Sequence, residues 1–346
     1  MKSKTHIDFM KRCFVLAEKA IGNTYPNPLV GAVIVYQNKI NGEGWNQKAG
    51  EAHAEVDAIN SVNDKSLLAE SILYVNLEPC SHFGKTPPCA DLIIQHNIKQ
   101  VVIASKDPNP KVAGKGIEKL KKAGIVVYEN ILKEEAEFLN RRFYTFYQKK
   151  RPYIIMKWAQ TQDGFIAPLK KESNRPFWIS NTLSKQKVHQ WRSEEASILV
   201  GVQTVVMDDP QLTTRDWPGN NPLRLILDPS DRTPNEATVL KDQLATILFN
   251  QYQSERSVRE NKEQVILNPF SLEALMEFCY KRTILSLFVE GGPKTLNHFI
   301  ENQLWDEARV FISEEKLELG IHSPKFEAVA HKEEKLKNNK LITYLR

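Results

Sequence analysis

The chain of 346 residues has only four cysteines, Cys13, Cys80, Cys89 and Cys279, too few for a disulfide framework. Sparse cysteine of this kind is expected of a protein working in a reducing, cytoplasmic setting. No run approaches the roughly 18 apolar residues of a membrane-crossing helix, and the opening MKSKTHIDFMKRC lacks an apolar signal core, so no membrane partner is expected. Neither charge sign dominates: 47 Lys and Arg stand against 42 Asp and Glu, a net charge of +5. That balance suits phosphorylated ligands but falls short of a nucleic-acid binder's basic excess. Internal repeats and low-complexity tracts are also missing. What remains is ordinary globular composition, 41% hydrophobic and 26% charged, in a chain long enough for two domains of roughly 150 to 200 residues.

Within this plain background one constellation carries chemistry. HAE (53 to 55) and PCSHFGKTPPC (79 to 89) supply an imidazole, two thiols and a carboxylate. His53, Cys80 and Cys89 are candidate ligands of a zinc ion whose fourth position stays open to water, and bound zinc lowers that water's pKa to about 7. Glu55 is placed to accept the water's proton and return it to a leaving group. His-x-Glu followed by Pro-Cys and a second Cys is the pattern of zinc deaminases. The spacing departs from the common two residues: eight lie between Cys80 and Cys89. The insert SHFGKTPP is polar and ends in two prolines, as suits a loop returning to a helix start. Cys89 then falls in the first turn of a helix ADLIIQHN, and His53 and Glu55 open another, HAEVDAINSV. The alternatives are a structural zinc site or cysteines that merely fill the core, but structural sites are usually closed and richer in cysteine, and here a carboxylate comes between the ligands. Cys13 and Cys279 lie in apolar helical contexts and read as small buried hydrophobes.

Along the chain, residues 1 to 148 alternate helices and strands as one helix-covered sheet would. Asp8 can cap a first helix running to Gly22, followed by the strand VGAVIVY, a turn at Gln37-Asn38, the metal helix and the strand SILYVNLE. After the Cys89 helix come QVVIAS, the helix KGIEKLKKAG and the short strand IVVYEN. The densest basic stretch, RRFYTFYQKKRP (141 to 152), reads as part of an amphipathic helix. Leu132, Ala136, Leu139, Phe143 and Phe146 recur at helical spacing and leave the charges solvated. Lys149 to Pro152 marks a boundary, and residues 149 to 346 read as a second α/β domain. Its strands are YIIMKWAQT, SILVGV, LRLILD, ATILFN, VILN, LSLFVEGG and EARVFIS, with helices NTLSKQKVHQWRSEE and PKTLNHFIENQ between them. VEGGPKT (289 to 295) is a strand-to-helix junction of the type at which nucleotides bind, although a Gly-Gly turn before Pro293 also serves simply to start a helix. The charged tail HKEEKLKNNKLITYLR can add an edge strand through LITYL.

Taken together these strings resemble the bifunctional riboflavin-biosynthesis deaminase/reductase family over nearly the whole chain. TYPNPLVGAVIV (24 to 35), HAEVDAI (53 to 59) and LEPCSHFGKTPPC (77 to 89) carry the match in the first half. MKWAQTQDGFIA (156 to 167), WIS (178 to 180), ILVGVQTVVMDDPQLTTR (198 to 215), LRLILD (223 to 228) and VEGGPKTLNHF (289 to 299) carry it in the second. The resemblance implies a cytidine-deaminase-like three-layer α/β domain followed by a dihydrofolate-reductase-like α/β domain. It implies zinc-dependent deamination of a phosphorylated diaminopyrimidinone ribosylamine, then reduction of its ribosyl group with NADPH, in a homo-oligomer. On the deaminase side it carries Asn27, His82, Lys85 and Thr86 to substrate contacts, with Lys85 where many members have Arg. On the reductase side it carries Ala159, Trp178, Thr204, Asp208 and Gly292 to the cofactor. Arg192, Leu212, Arg215 and Glu290 fall on reductase substrate positions. Pro176 replaces a Ser common two residues before the tryptophan, and Asp163 sits in a family-like turn. No basic residue is assigned to the extra phosphate of NADPH.

Two other functions fit part of the sequence. A nucleic-acid base deaminase would use the same zinc centre but should show a basic, aromatic binding surface, which the second half does not offer. A deaminase with an inactive second domain would bind without turning over NADPH.

Overall fold

The computed structural model describes residues 2–81, 87–169, 179–253 and 260–346. The chain divides into two compact units, Met1–Lys150 and Arg151–Arg346. In the first unit the order is α1 (Lys2–Glu18), β1 (Gly31–Tyr36), β2 (Lys39–Trp45), α2 (Ala54–Ser61), β3 (Ile72–Leu77), α3 (Cys89–Gln95), β4 (Gln100–Ser105), α4 (Lys115–Lys122), β5 (Val126–Tyr128), α5 (Lys133–Leu139) and α6 (Arg141–Lys149). The sheet order is β2-β1-β3-β4-β5. β1 runs antiparallel to β2 and β3, while β3, β4 and β5 are parallel.

Strand alternation divides this sheet between two helical layers. Val33, Val35, Tyr74, Val102 and Ala104 pack with Met10, Cys13 and Leu16 of α1 and Ala136 of α5. The opposite face meets α2, and it does so through glycine. A β-carbon on Gly42 would lie 2.3 Å from the Ala58 carbonyl oxygen, so only a bare backbone lets α2 sit that low on β2.

The second unit contains β6 (Tyr153–Gln160), β7 (Phe165–Ala167), α7 (Thr182–Glu194), β8 (Ser197–Gly201), α8 (Val202–Asp208), β9 (Leu223–Leu227), α9 (Thr238–Lys241), β10 (Thr246–Asn250), β11 (Lys262–Ile266), α10 (Leu272–Lys281), β12 (Ser286–Val289), α11 (Pro293–Glu301), β13 (Glu307–Ser313), β14 (Ile321–His322), β15 (Ala330–Leu336) and β16 (Asn339–Leu345). Its main sheet runs β11-β10-β9-β8-β12-β6-β13-β16-β15. All neighbours from β11 to β13 are parallel, and β16 and β15 add antiparallel. Parallel strands buried on both faces need near-continuous apolar runs. β6 shows the division: Ile154, Met156 and Trp158 enter the core formed with α10 and α11, whereas Tyr153 and Ile155 enter the one formed with α7, α8 and α9. Cys279 is fully buried in the first of these cores, as its sequence context suggested.

Several expected details are corrected. The first helix begins well before Asp8 and ends at Glu18, so Asp8 is an interior residue rather than its cap. β2 was not expected between the Gln37-Asn38 turn and the metal helix; its sequence KINGEGW has two glycines and almost no apolar alternation. The expected single amphipathic helix is two, broken at Asn140, and Leu132 stands outside as the left-handed residue before α5. Asn140 spends its side chain on Leu29, donating to its carbonyl at 2.9 Å and accepting its N–H at 2.8 Å. The tail strand β16 is internal, because the charged segment before it forms the edge strand β15. Charge on an exposed edge blunts unwanted pairing.

Candidate deaminase and reductase centres

α2 and α3 deliver the candidate metal ligands at their N-termini. His53 is the N-cap of α2 and Cys89 the first residue of α3, with Pro88 before it. Cys80 follows β3 in the loop that leads to α3. The ring Nδ1 of His53 and the two sulfurs lie within 4.8 Å of one another. Nδ1 is 3.2 Å from Cys89 Sγ and 3.6 Å from Cys80 Sγ. A tetrahedral zinc with bonds of about 2.0 to 2.3 Å holds its ligands about 3.5 to 3.8 Å apart, so three donors of the right softness are already gathered to size. Hydrogen bonding from Cys89, assisted by the His53 ring, holds Cys80 down to about 4, in the thiolate form that binds metal. Glu55 is 3% exposed. Burial, reinforced by the Cys80 charge, pushes its carboxyl up to about 7, near the value at which a group can both take and return a proton at neutral pH.

Residues the sequence reading passed over hold this arrangement. Asn46 Oδ1 accepts the Ala54 N–H at 2.8 Å, and its own N–H donates to the Val30 carbonyl, tying the start of α2 to the segment after Asn27. Asn76 accepts the Gly31 N–H at 2.8 Å and donates to the Leu29 carbonyl at 2.9 Å, fixing that segment from the other side. Glu78, two residues before Cys80, takes N–H groups of Gly114 and Gly116 at 2.9 Å each and of Ile117 at 3.2 Å. Its carboxylate thereby caps α4 and anchors the cysteine loop. A charged residue between a hydrophobic strand and a cysteine was the available signal. Asp107, beyond β4, is nearly buried, and burial with the charges of Glu78 and Cys80 pushes it up to about 7. The string DPNP around it carried that hint. Asn27 lies in the half-buried turn that Asn27 N–H closes onto the Thr24 carbonyl at 2.7 Å. His82, Lys85 and Thr86 lie outside the described residues.

In the second unit the carboxyl ends of neighbouring strands carry the expected residues. Ala159 lies near the end of β6, Thr204 in α8 directly after β8, and Asp208 at that helix's exposed C-terminus. Gly292 is the N-cap of α11, and a β-carbon there would meet nothing within 4 Å, leaving open space for a ligand to approach the backbone. Arg192 and Glu290 are brought together as a fork: Nε to Oε1 is 2.6 Å and NH2 to Oε2 is 3.0 Å. Arg192 NH1 also donates to the Thr213 carbonyl at 3.1 Å, in the loop that carries Leu212 and Arg215. Leu212 is buried at φ 54°, and Arg215 is exposed with NH1 3.3 Å from Thr213 Oγ1. Lys157 was missed, although a lysine inside the apolar strand YIIMKWAQ was the clue. Its Nζ is 3.4 Å from Glu290 Oε2. Burial pushes the Glu290 carboxyl up, but Arg192 and Lys157 outweigh it and hold it down to about 2. Asp163 is a turn residue: it accepts the N–H groups of Leu317 and Glu318 at 3.1 and 2.8 Å and the Thr161 hydroxyl at 2.5 Å. Pro176 and Trp178 lie outside the described residues. Among the described residues no helix is long and apolar enough to cross a membrane.

Comparison with known proteins finds relatives for both units. Residues 3–105 match the family described as the cytidine and deoxycytidylate deaminase zinc-binding region, and residues 152–314 match the RibD C-terminal domain. The chain is 45% identical over 311 residues to the riboflavin biosynthesis protein RibD of Aquifex aeolicus, covering 88% of this chain and 86% of that one. With RibD of Escherichia coli it shares 35% identity over 323 residues, 88% and 86% of the two chains. A solved diaminohydroxyphosphoribosylaminopyrimidine deaminase/5-amino-6-(5-phosphoribosylamino)uracil reductase of Thermotoga maritima superposes with a TM-score of 0.90 at 37% identity, covering 100% and 99% of the chains. Acinetobacter baumannii RibD superposes at 0.89 with 30% identity, covering 99% of each. A zinc-type deaminase half joined to a RibD reductase half, in a chain this similar throughout, belongs to the RibD family of bifunctional riboflavin-biosynthesis enzymes.

Proposed function

We propose that the two units act in turn on one phosphorylated intermediate. The first hydrolyses the 2-amino group of 2,5-diamino-6-(5-phosphoribosylamino)pyrimidin-4(3H)-one, and the second reduces the ribosyl group of the resulting aminouracil to ribityl. The gathering of His53, Cys80 and Cys89 beside buried Glu55 is the observation that carries the first assignment. When bound, zinc supplies a nucleophile at neutral pH by acidifying water. Glu55 takes the proton from the attacking water and delivers it to the amino nitrogen, so that a carbon–oxygen bond forms, the carbon–nitrogen bond breaks and ammonia leaves. A carboxyl poised near 7 can perform both transfers. Asn27 contacts the pyrimidine, and His82, Lys85 and Thr86 hold the substrate, the latter two at its phosphate.

In the second unit NADPH, when bound, would supply the hydride that reduces the ribosyl carbon. Ala159, Trp178, Thr204, Asp208 and Gly292 line its site, and the open approach to Gly292 supports a backbone contact there. Glu290, held anionic by Arg192 and Lys157, aligns the opened sugar, while exposed Arg215 offers a cation to the phosphate. Leu212, buried in the same loop, is the apolar member of this substrate site. Incubating the full chain with the diaminopyrimidinone phosphate, with and without NADPH, tests the sequence of steps. Ammonia should appear in both arms, and nicotinamide absorbance should fall only after deamination. NADPH oxidation without ammonia release, or ammonia release with no later oxidation, would contradict it.

A further inference from the structure

Arg224 of β9 is fully buried, and its guanidinium joins two parts of the reductase unit. Nε donates to the Thr246 hydroxyl at 3.0 Å, and the two arms fork onto Asp242 at 2.7 and 2.5 Å. NH2 also reaches the carbonyls of Val239 and Leu244, at 3.1 and 2.9 Å. These partners all come from α9, β10 and the turn between them. One contact goes elsewhere. NH1 donates at 3.1 Å to the carbonyl of Gln211, in the loop that leads from α8 to β9.

Two residues further on, the Thr213 carbonyl takes NH1 of Arg192 at 3.1 Å. Two arginines thus hold the carbonyls on either side of Leu212. Leu212 itself is 3% exposed and sits at φ 54°, in one core with Val205, Ile226, Val239 and Leu240. Leucine rarely adopts that backbone conformation, and it persists only where the surroundings over-determine it. The paired clamp supplies that constraint.

Arg192 spends its other contacts on Glu290, which Lys157 also approaches. Their side chains are 12, 9 and 17% exposed, near the carboxyl ends of the parallel neighbours β6 and β12. Buried charges gathered there mark a reaction centre in a sheet of this kind. Resting on the reading of this cluster as the reductase centre, we propose that Arg224 is a positioning residue for reduction. By holding Gln211 it sets the Thr213 carbonyl where Arg192 meets it, and so aims the Arg192 fork at Glu290. With its donors filled by the chain itself, Arg224 has none to offer a ligand. One planar guanidinium serves Thr246, Asp242 and Gln211 at fixed angles, which a lysine ammonium cannot do.

Reduction of supplied deaminated substrate by the full chain tests this. Arg224→Met should lower kcat about 10- to 100-fold, the scale of a small misplacement at a reacting centre, and leave KM for NADPH unchanged. Arg224→Lys keeps a cation beside Asp242 and should unfold near the wild-type temperature, yet lower kcat about tenfold. Lys262 grips the same Asp242 carboxylate at 3.2 Å and also donates to the Leu244 carbonyl. Lys262→Met should therefore lower thermal stability, as loss of a buried partner does, with kcat as in the wild type.

In an Arg192→Lys background, Arg224→Lys should cost kcat less than about twofold, because its effect passes through Arg192. Wild-type kcat in folded Arg224→Lys, an equal loss in Lys262→Met, or the same fold loss with and without Arg192 would overturn the assignment. A wild type that reduces nothing, or an Arg192→Lys variant that reduces as the wild type does, would instead defeat the reading of the cluster, and this proposal with it.

Discussion

Gly44 of β2 and Ala54 in the first turn of α2 meet backbone to backbone: a β-carbon on Gly44 would lie 2.4 Å from the Ala54 carbonyl oxygen and 2.4 Å from the Ala58 nitrogen. The helix that presents His53 and Glu55 is therefore seated by the absence of a side chain on its neighbouring strand. Gly44→Ala should push α2 outward, costing about 1 to 3 kcal/mol as overpacking does. It should also lower zinc content and ammonia release while leaving reduction of supplied deaminated substrate intact. Thermal unfolding and metal analysis on the same preparation check both effects.

The gathered donors predict one zinc per chain. Cys89→Ala removes a ligand fixed in the first turn of α3 and should leave metal well below stoichiometric occupancy. A strong chelator should release zinc from the wild type and lower the stability of the first unit, since metal binding adds to folding free energy. Elemental analysis and unfolding with and without added zinc read the result.

Acid should weaken the reductase unit in two stages. Burial, then the charges of Arg192 and Arg215, push His189 down to about 4, and Asp216 at 3.3 Å only partly offsets them. Between its ordinary value of about 6.5 and that lowered one, the unfolded chain binds a proton that the folded chain does not. Stability therefore falls as pH drops through this window, by up to about 1.4 kcal/mol per pH unit. Glu290 acts lower: its depressed pKa gives stability that is complete above about 4.3 and is lost as pH falls toward about 2. In His189→Gln the slope between pH 6.5 and 4 should flatten while the loss at lower pH remains. Urea unfolding of the full chain at closely spaced pH values measures the slopes.

Much of this organisation is legible in the sequence because it depends on local chemistry. His-x-Glu and the two cysteines name the metal donors, and the prolines before Cys89 place it at a helix start, where it lies. Apolar runs such as LRLIL and SLFV announce strands buried on both faces. What was not legible depends on partners distant in the chain. β2 is held by pairing with β1 and by α2 rather than by any periodicity of its own. Asn140 breaks a helix because Leu29, far earlier, occupies its side chain. Lys157 is tolerated in a core strand because Glu290 pairs with it across the sheet. A Lys in a strand and a Glu after one are separately unremarkable; their contact exists only once β6 and β12 are neighbours.

The proposed function requires two independent centres in one chain, one built around Glu55 and the other around Glu290. Crossing the two variants tests it most directly, following ammonia release from the diaminopyrimidinone phosphate and NADPH oxidation with supplied deaminated substrate. Glu55→Gln should abolish ammonia release, retain zinc and oxidise NADPH as the wild type does. Glu290→Gln, which leaves Arg192 and Lys157 without their countercharge, should release ammonia normally and lose NADPH oxidation. Loss of both activities in either folded, zinc-loaded variant, or survival of ammonia release in Glu55→Gln, would contradict the claim.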